Sequence, residues 1–276
     1  MNYHSDDWIM NEVNDHWNEL LTYFDINQVV GVFYQGSGNY GLDYENSDVD
    51  TKAILLPSFK DIALNKKPVS TTHVRANNSH TDWKDCRLYF GTFKKQNTNF
   101  LEILFTPYEI LNSIYMDFWK ELVDKKEEIA HYNPYKAVKS MKGVAMEKYH
   151  AMEHEYPSQL EVLAKYGYSP KQLHHLLRVE DYIARYIAGE SYENCLHPHR
   201  PDYLIDVKKG YYDLETARIV ANTAINNITR VADDFCAKVE DKGNPEVDEF
   251  LDDVMYRMMK TCIQKELNYD GRCSVA

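Results

Sequence analysis

The segment 36–50 constrains the fold of this chain more than any other stretch of its sequence. It lies between two apolar runs, 29–33 and 49–56, each of which is short, rich in β-branched residues and typical of a buried strand. It opens with a turn of small residues and closes with two carboxylates, Asp48 and Asp50. This order favours catalysis over simple binding: a strand, a turn of small residues, a pair of acids and a second strand.

The turn that opens this segment is suited to a phosphate group. Gly36 and the glycines that follow it permit backbone angles and close approaches that a Cβ would forbid. Ser37 adds a hydroxyl at the predicted start of a helix, where free N–H groups and the helix dipole favour an anion. We therefore expect Gly36 and Ser37 to bind a phosphate.

The two acids that close the segment are suited to a metal ion. Asp48 and Asp50 share one face of the second predicted strand, roughly 6.5–7 Å apart along the backbone, because side chains at i and i+2 point the same way. Two carboxylates this close repel one another unless a cation lies between them. Mg²⁺ prefers carboxylate oxygens together with substrate phosphates, and two such ions suit in-line phosphoryl displacement.

Taken together, the turn and the acids resemble the signature of the DNA polymerase β-like nucleotidyltransferase superfamily. The resemblance is carried by Gly36-Ser37 and by the stretch 47–50. It implies an α+β fold, in which a mixed sheet with helices is followed by an α-helical C-terminal domain. It also implies transfer of a nucleoside monophosphate from a nucleoside triphosphate to an acceptor hydroxyl, with release of pyrophosphate. Ser37 would contact the triphosphate, while Asp48 and Asp50 would hold two Mg²⁺ or Mn²⁺ ions.

The superfamily has a third acidic residue on a neighbouring strand, and Glu102 is the favoured candidate. It lies in the middle of the apolar run 99–105, which we expect to form a strand. A lone carboxylate in such a strand is costly to bury without a partner or a metal. Glu102 would be a ligand of the second ion or the base that activates the acceptor. The alternative is an edge-strand acid that faces water.

Asp82 and Asp85 are the rival candidates for the third acid. An additional strand over 70–74 can lead into them. Asp82 fits equally well as the cap of a helix that the apolar spacing predicts over 83–95.

A second motif lies further along, at a helix that Ser169 and Pro170 are expected to start. Three cationic or titratable side chains follow at spacings that place them on one helix face: Lys171, His175 and Arg178. They can complement a triphosphate, or they can form a structural network with Glu180, Asp181 and other acids.

This motif narrows the resemblance. Together with 200–204 and 207–214, the stretch 167–178 is similar to the helical part of a bacterial and phage nucleotidyltransferase subgroup, some of whose relatives are associated with RNA repair. In that subgroup Lys171, His175 and Arg178 are expected to bind the nucleotide. The likeness defines a reaction class better than it defines an acceptor.

The rest of the chain supplies helices. An amphipathic pattern predicts a helix over 7–24, and strand-like runs end after residue 105. Helical patterns then follow at 116–128, 134–154, 157–166, 170–188, 213–240 and 246–267. We therefore expect a nucleotidyltransferase catalytic domain over 1–112 and a helical domain over 113–276.

Composition limits the partners. No apolar run approaches the roughly 18–20 residues that cross a membrane, and the acidic N-terminus differs from a secretion signal, so we expect a cytoplasmic protein without a membrane partner. The net charge of −12 opposes a grip on long nucleic acid. The acceptor is then a short RNA 3′ end, a protein or a small molecule. Two other functions stay open: an inactive nucleotide-binding regulatory module, and a two-metal phosphohydrolase.

Overall fold

The structure is a computed structural model that describes residues 3–45, 47 and 49–273, with side chains as far as residue 268. Within these residues the fold is α+β, as predicted: a mixed five-stranded sheet with helices precedes a region that is entirely helical. No helix in the described part of the chain is both long enough and apolar enough to cross a membrane.

The chain divides into two compact units. The sheet unit comprises Tyr3–Asn39, Glu45–Tyr132 and the residues from Gly243 onwards. The helical unit comprises Tyr40–Tyr44 and Asn133–Lys242. This division differs from the expected domains 1–112 and 113–276, because helical patterns in the sequence do not tell which body a helix packs against.

The sheet has the strand order β3-β4-β2-β1-β5. Strands β2 and β4 are parallel, and every other neighbouring pair is antiparallel. The strands are β1 (Val29–Gln35), β2 (Asp50–Leu55), β3 (Ser70–Val74), β4 (His80–Asp85) and β5 (Glu109–Leu111). The expected strands at 29–33, 49–56 and 70–74 are thereby confirmed within one or two residues at each end.

Helix α1 (Asp6–Leu20) covers one face of the sheet. Ser5 caps it by accepting a hydrogen bond from the backbone N–H of Trp8. Its apolar stripe and the inward residues of the strands form one core, which includes Ile9, Val13, Leu20, Val32, Tyr34, Ala53, Leu55 and Trp83. The opposite face of β2 and β4 therefore carries Asp50, Lys52, Asp82 and Lys84.

Two expectations in the stretch that follows were wrong. The helix predicted over 83–95 begins only at Cys86 (α3, Cys86–Lys94), because 81–85 alternate between buried and half-buried side chains and pair with β2 as β4. Asp82 is thus a strand residue, and Asp85 caps the helix.

The strand predicted over 99–105 is also absent. The short helix α4 (Thr98–Leu101) and a 3-10 turn (Glu102–Leu104) occupy that stretch. Asn97 starts the helix, since its side chain accepts a hydrogen bond from the N–H of Asn99. A short apolar run cannot by itself distinguish a strand from a buried helical turn.

Four of the remaining predicted helices form within their expected ranges, namely those at 134–154, 157–166, 170–188 and 213–240. The range 116–128 gives two helices, the helix expected over 246–267 is longer than predicted, and short helices over 59–63, 192–196 and 201–208 were not predicted. The sheet unit contains α2 (Phe59–Ala63), α5 (Met116–Asp124), α6 (Lys126–Ala130) and α13 (Pro245–Cys273). The helical unit contains α7 (Pro134–Ala151), α8 (Leu160–Tyr166), α9 (Pro170–Ile187), α10 (Tyr192–Leu196), α11 (Pro201–Lys208) and α12 (Leu214–Cys236). Helix α9 contacts α7, α11 and α12 and is the centre of this unit.

Candidate functional site

The connection between β1 and β2 carries the predicted phosphate turn. Residues Ser37–Tyr40 form a 3-10 turn and not the first turn of an α-helix. The Gly38 N–H donates to the Tyr34 hydroxyl at 3.0 Å. A Cβ at Gly36 would lie 2.5 Å from the Tyr34 Oη, so glycine is required there by the close approach of a buried ring.

The two ends of the signature meet in the structure. Ser37 Oγ lies 3.3 Å from Ser47 Oγ, which places the phosphate turn beside the residues that lead into β2. The antiparallel pairing of Gln35 with Asp50 brings the end of β1 and the start of β2 to the same sheet edge. Ser37 and Asp50 therefore belong to one region of the sheet unit.

Asp50 is the first residue of β2, and its side chain is 42% exposed. Its Oδ1 accepts a hydrogen bond from the backbone N–H of His80 at 2.9 Å and lies 3.2 Å from His80 Nδ1. His80 begins β4, so this contact links the two parallel strands. Asp48, the other predicted metal ligand, lies outside the described residues.

The neighbouring strand presents a third carboxylate on the same face. Asp82 lies opposite Lys52 in the β2–β4 pair, and Lys52 Nζ donates to Asp82 Oδ2 at 2.8 Å. Thr72 donates to the other oxygen, Oδ1, at 2.6 Å. Burial raises the pKa of Asp82, but Lys52 and Thr72 lower it by more, so that the pKa lies below its ordinary value. Asp82 is ionised at neutral pH.

The other two candidates for the third acid have different surroundings. Asp85 is buried, caps α3 and forms an ion pair with Arg87 at 2.6 Å, which is a structural role. Glu102 is also buried, but it lies on the 3-10 turn and not on a strand. Of the three, only Asp82 lies on the strand next to β2 and on the face of Asp50. The preference for Glu102 depended on a strand that does not form.

The donor chemistry of this edge suits an oxygen-preferring ion such as Mg²⁺. A half-exposed carboxylate at Asp50 and a hydroxyl pair at Ser37 and Ser47 are hard oxygen donors. Within the described residues, which exclude Asp48, no three Cys, His, Asp or Glu side chains gather around a common metal position.

The second predicted motif lies in the helical unit. Helix α9 begins at Pro170, as predicted, although the Ser169 side chain makes no capping hydrogen bond. The Arg178 guanidinium lies over the ring of Tyr40, 3.6 Å from its centroid. Burial lowers the pKa of His175 well below its ordinary value, and the neighbouring side chains of His174, Arg178 and Lys171 lower it further. His175 is therefore neutral at pH 7.

The acids expected as alternative partners of that motif are engaged elsewhere. Asp181 pairs with Arg185 and His199, and Glu180 accepts a hydrogen bond from Asn227. Lys208 joins Arg178 in contacting the 40–44 segment, because its Nζ lies 4.4 Å from the centroid of the Tyr44 ring. A pair of aromatic–cation contacts therefore holds this segment within the helical unit.

No protein-family description matches this chain, and no curated protein matches it. Among solved structures, it is similar to a nucleotidyltransferase-like protein from Exiguobacterium sibiricum 255-15. The sequence identity is 10%, the similarity covers 82% of this chain and 75% of that chain, and the TM-score is 0.30.

The helical unit also contains a cavity of 510 Å³ between α9, α12 and the 198–204 region. Its walls are mainly apolar, and its polar lining includes Glu180, Asp181 and Arg200. The lining includes none of Lys171, His175 and Arg178, so the cavity is separate from the predicted nucleotide-binding stripe.

Three residues were not predicted: Lys52 and His80 on the strands, and His16 on helix α1 behind them. Lys52 is 3% exposed in its side chain, and a lysine inside an apolar run was the signal that could have found it. His80 could have been found only with the β2–β4 register. His16 lies in the apolar stripe of α1 and is buried, which is a position where an imidazole needs polar partners.

Proposed function

We propose that this protein is a metal-dependent nucleotidyltransferase that moves a nucleoside monophosphate from a nucleoside triphosphate to an acceptor hydroxyl. The observation that supports this most is the meeting of the turn and the acid strand. Ser37 lies beside Ser47, and Gln35, the last residue of β1, pairs with Asp50, the first residue of β2. A phosphate held by the turn would then lie near the carboxylate of Asp50.

The residues of the turn would bind the triphosphate. Ser37 would donate a hydrogen bond to a β- or γ-phosphate oxygen. Gly36 and Gly38 shape the turn, because the Tyr34 ring lies where a Cβ of either residue would be. Asp48 and Asp50 would hold Mg²⁺ or Mn²⁺. When bound, the ions neutralise phosphate charge and lower the pKa of the acceptor hydroxyl.

In the reaction, the acceptor oxygen would form a bond to the α-phosphorus. The bond between the α-phosphorus and the oxygen that bridges it to the β-phosphate would break. Pyrophosphate leaves, and the acceptor loses its proton. Among the three acids considered for the third carboxylate, we now favour Asp82, because it shares a face with Asp50 on the adjacent strand. Glu102 remains the alternative base. Lys171, His175 and Arg178 remain proposed nucleotide-binding residues of the helical unit.

The test is release of pyrophosphate. The protein is incubated with each labelled nucleoside triphosphate, with Mg²⁺ or Mn²⁺, and with RNA, protein or metabolite fractions of a cell extract. We expect pyrophosphate together with label in one of the fractions. Replacement of both acids, Asp48→Asn with Asp50→Asn, should abolish both signals without unfolding the protein.

Asp15→Asn is the matched control, since Asp15 is an exposed acid of α1 with no ion pair among the described residues. It should leave the rate unchanged. A double variant that releases pyrophosphate at the wild-type rate would contradict the assignment of the site.

The same assay separates the other two functions. A two-metal phosphohydrolase would release inorganic phosphate or a monophosphate and label no fraction. A regulatory module would bind a nucleotide in a metal-dependent way and form no product. A phosphohydrolase does not require a Gly-Ser turn before its acids, and the retention of Ser37, Asp48 and Asp50 argues against a module that has lost turnover.

A further inference from the structure

A buried hydrogen-bond network lies behind the proposed site, on the face of the sheet that α1 covers. Its centre is His16, which is 1% exposed. His16 Nδ1 lies 2.7 Å from Thr51 Oγ1 and 2.8 Å from Thr81 Oγ1, and Nε2 lies 3.0 Å from Ser79 Oγ. All three hydroxyl residues are buried.

The protons of this network can be assigned from its geometry. The Ser79 hydroxyl donates to Asn77 Oδ1 at 2.7 Å, so its oxygen is left to accept the Nε2–H of His16. Thr51 Oγ1 and Thr81 Oγ1 lie 2.7 Å and 2.8 Å from Nδ1 and 3.0 Å from each other, so a threonine hydroxyl donates to the unprotonated Nδ1. His16 is then a neutral imidazole whose donor and acceptor are both satisfied.

The partners of His16 are the immediate neighbours of the residues at the proposed site. Thr51 follows Asp50, Thr81 precedes Asp82, and the two threonines lie directly opposite each other in the parallel β2–β4 pair. Ser79 precedes His80, the residue whose N–H binds Asp50. Because successive side chains alternate between faces, the imidazole holds the two strands from behind while Asp50 and Asp82 face the other way.

Two valines in place of Thr51 and Thr81 would also pack against α1, but they would not fix the register of the two strands. Valine suits a buried strand, whereas a buried hydroxyl costs free energy unless it is hydrogen-bonded. A slip of β4 by one residue would separate the imidazole from Thr81 and Ser79 and leave its buried Nε2–H without an acceptor. The network therefore stabilises one alignment of β2 and β4.

We propose that His16 is a positioning residue of the site, which acts through Thr51 and Thr81 to set the position of Asp50 relative to His80 and Asp82. This inference rests on the proposed function for the role of Asp50 as a metal ligand. His16 lies outside the signature, 35 positions before Thr51 in the sequence. Its effect on the metal would pass through the register of β2 and β4.

The experiment measures Mn²⁺ affinity of the full chain by electron paramagnetic resonance of the free ion, together with thermal unfolding. His16→Leu should weaken Mn²⁺ binding about tenfold, the lower end of the range for groups that orient metal ligands. His16→Gln, whose amide supplies one donor and one acceptor, should recover most of the loss. Thr81→Val should weaken binding like His16→Leu, and the double variant should be no worse than either, because both changes remove the same contact.

Val13→Ala is the matched control, since Val13 is a fully buried residue of the same helix that belongs to the apolar core and to none of these hydrogen bonds. At an equal loss of thermal stability, Val13→Ala should leave Mn²⁺ affinity near that of the wild type. If it weakens Mn²⁺ binding as much as His16→Leu does, or if His16→Gln is no better than His16→Leu, the positioning role is refuted. A wild-type protein that binds no Mn²⁺ overturns the proposed function itself, and that outcome is distinct from failure of the His16 variants alone.

Discussion

The ammonium of Lys52 lies 2.8 Å from the carboxylate of Asp82, directly across the parallel β2–β4 pair. The two partners are unequal in exposure: the Lys52 side chain is 3% exposed, whereas that of Asp82 is 34% exposed. Lys52 also lies against the ring of Phe100, 4.1 Å from its centroid. The pair therefore consists of a buried ammonium and a carboxylate that is partly accessible to water.

This asymmetry predicts unequal costs of removing each partner. Asp82→Asn leaves a buried ammonium without its carboxylate and should lower the free energy of unfolding by about 2–3 kcal/mol. Lys52→Met leaves a carboxylate that water can solvate, and its cost should be below about 1 kcal/mol. The double variant should resemble Lys52→Met. Urea denaturation at pH 7 measures all three, and equal costs for the two single variants would contradict the unequal burial.

The stability of the protein should depend on pH through His16. Burial lowers the pKa of His16 from 6.5 to about 4. Between these values the unfolded chain binds a proton that the folded protein does not, so stability rises with pH across this window and falls on acidification. Between pH 7 and pH 5 the linked loss is about 2 kcal/mol.

The measurement is urea denaturation of the wild type and His16→Gln at both pH values. The variant should lose about 2 kcal/mol less than the wild type on this change of pH, whatever its stability at pH 7. His174→Gln should reduce the pH dependence in the same direction, because burial lowers the pKa of His174 to about 3. Identical pH dependence in the wild type and His16→Gln would contradict burial of a neutral imidazole.

Gly36 should not tolerate a side chain. A Cβ there would lie 2.5 Å from the Tyr34 hydroxyl oxygen, and Tyr34 is itself buried. Gly36→Ala should therefore cost about 1–3 kcal/mol of stability through overpacking and should disturb the turn. Gly91→Ala is the matched control, because nothing lies within 4 Å of its added Cβ and Gly91 is inside helix α3. The control should be stabilising by about 0.5–1 kcal/mol, and thermal unfolding distinguishes the two signs.

Ser37 should matter for turnover and little for folding. Within the part of the chain that the structure describes, its hydroxyl hydrogen-bonds only to the partly buried hydroxyl of Ser47, at 3.3 Å. Loss of a hydrogen bond to a charged phosphate is worth about 1.5–3 kcal/mol, so Ser37→Ala should lower kcat/KM for the nucleotide by about 10- to 100-fold. Pyrophosphate release measures this effect. Ser113→Ala, a change at an exposed serine, should leave the rate unchanged, and an unaltered rate in Ser37→Ala would argue against a phosphate at this turn.

The local pattern of the sequence was sufficient for the elements that have one strong signal. Strand β1 and helix α1 were predicted because β-branched content and a regular apolar stripe decide them without help from the rest of the fold. The α+β class and the helical region after the sheet were predicted in the same way. The turn at Gly36-Ser37 and Asp50 were proposed as site residues from their order along the chain, and their roles stay predictions.

Tertiary contacts decided what the sequence could not. Residues 81–85 contain three charged side chains and look like the approach to a helix, but pairing with β2 makes them a strand. Glu102 looked like the centre of a strand, because an apolar run of seven residues carries no sign of the turn that Asn97 starts. The pairing of Asp82 with Lys52 depends on the register of β2 and β4, which a single sequence does not reveal.

The chain leaves and re-enters each unit more than once. It passes from the sheet unit to the helical unit at 39–40 and at 132–133, and it returns at 44–45 and at 242–243. Neither unit can then be excised as one piece: a fragment that stops at 132 loses α13, and one that starts at 133 loses the aromatic residues that Arg178 and Lys208 hold. A single crossover in recombination would not exchange either unit whole, so the turn at 36–41 and the helical unit are inherited together.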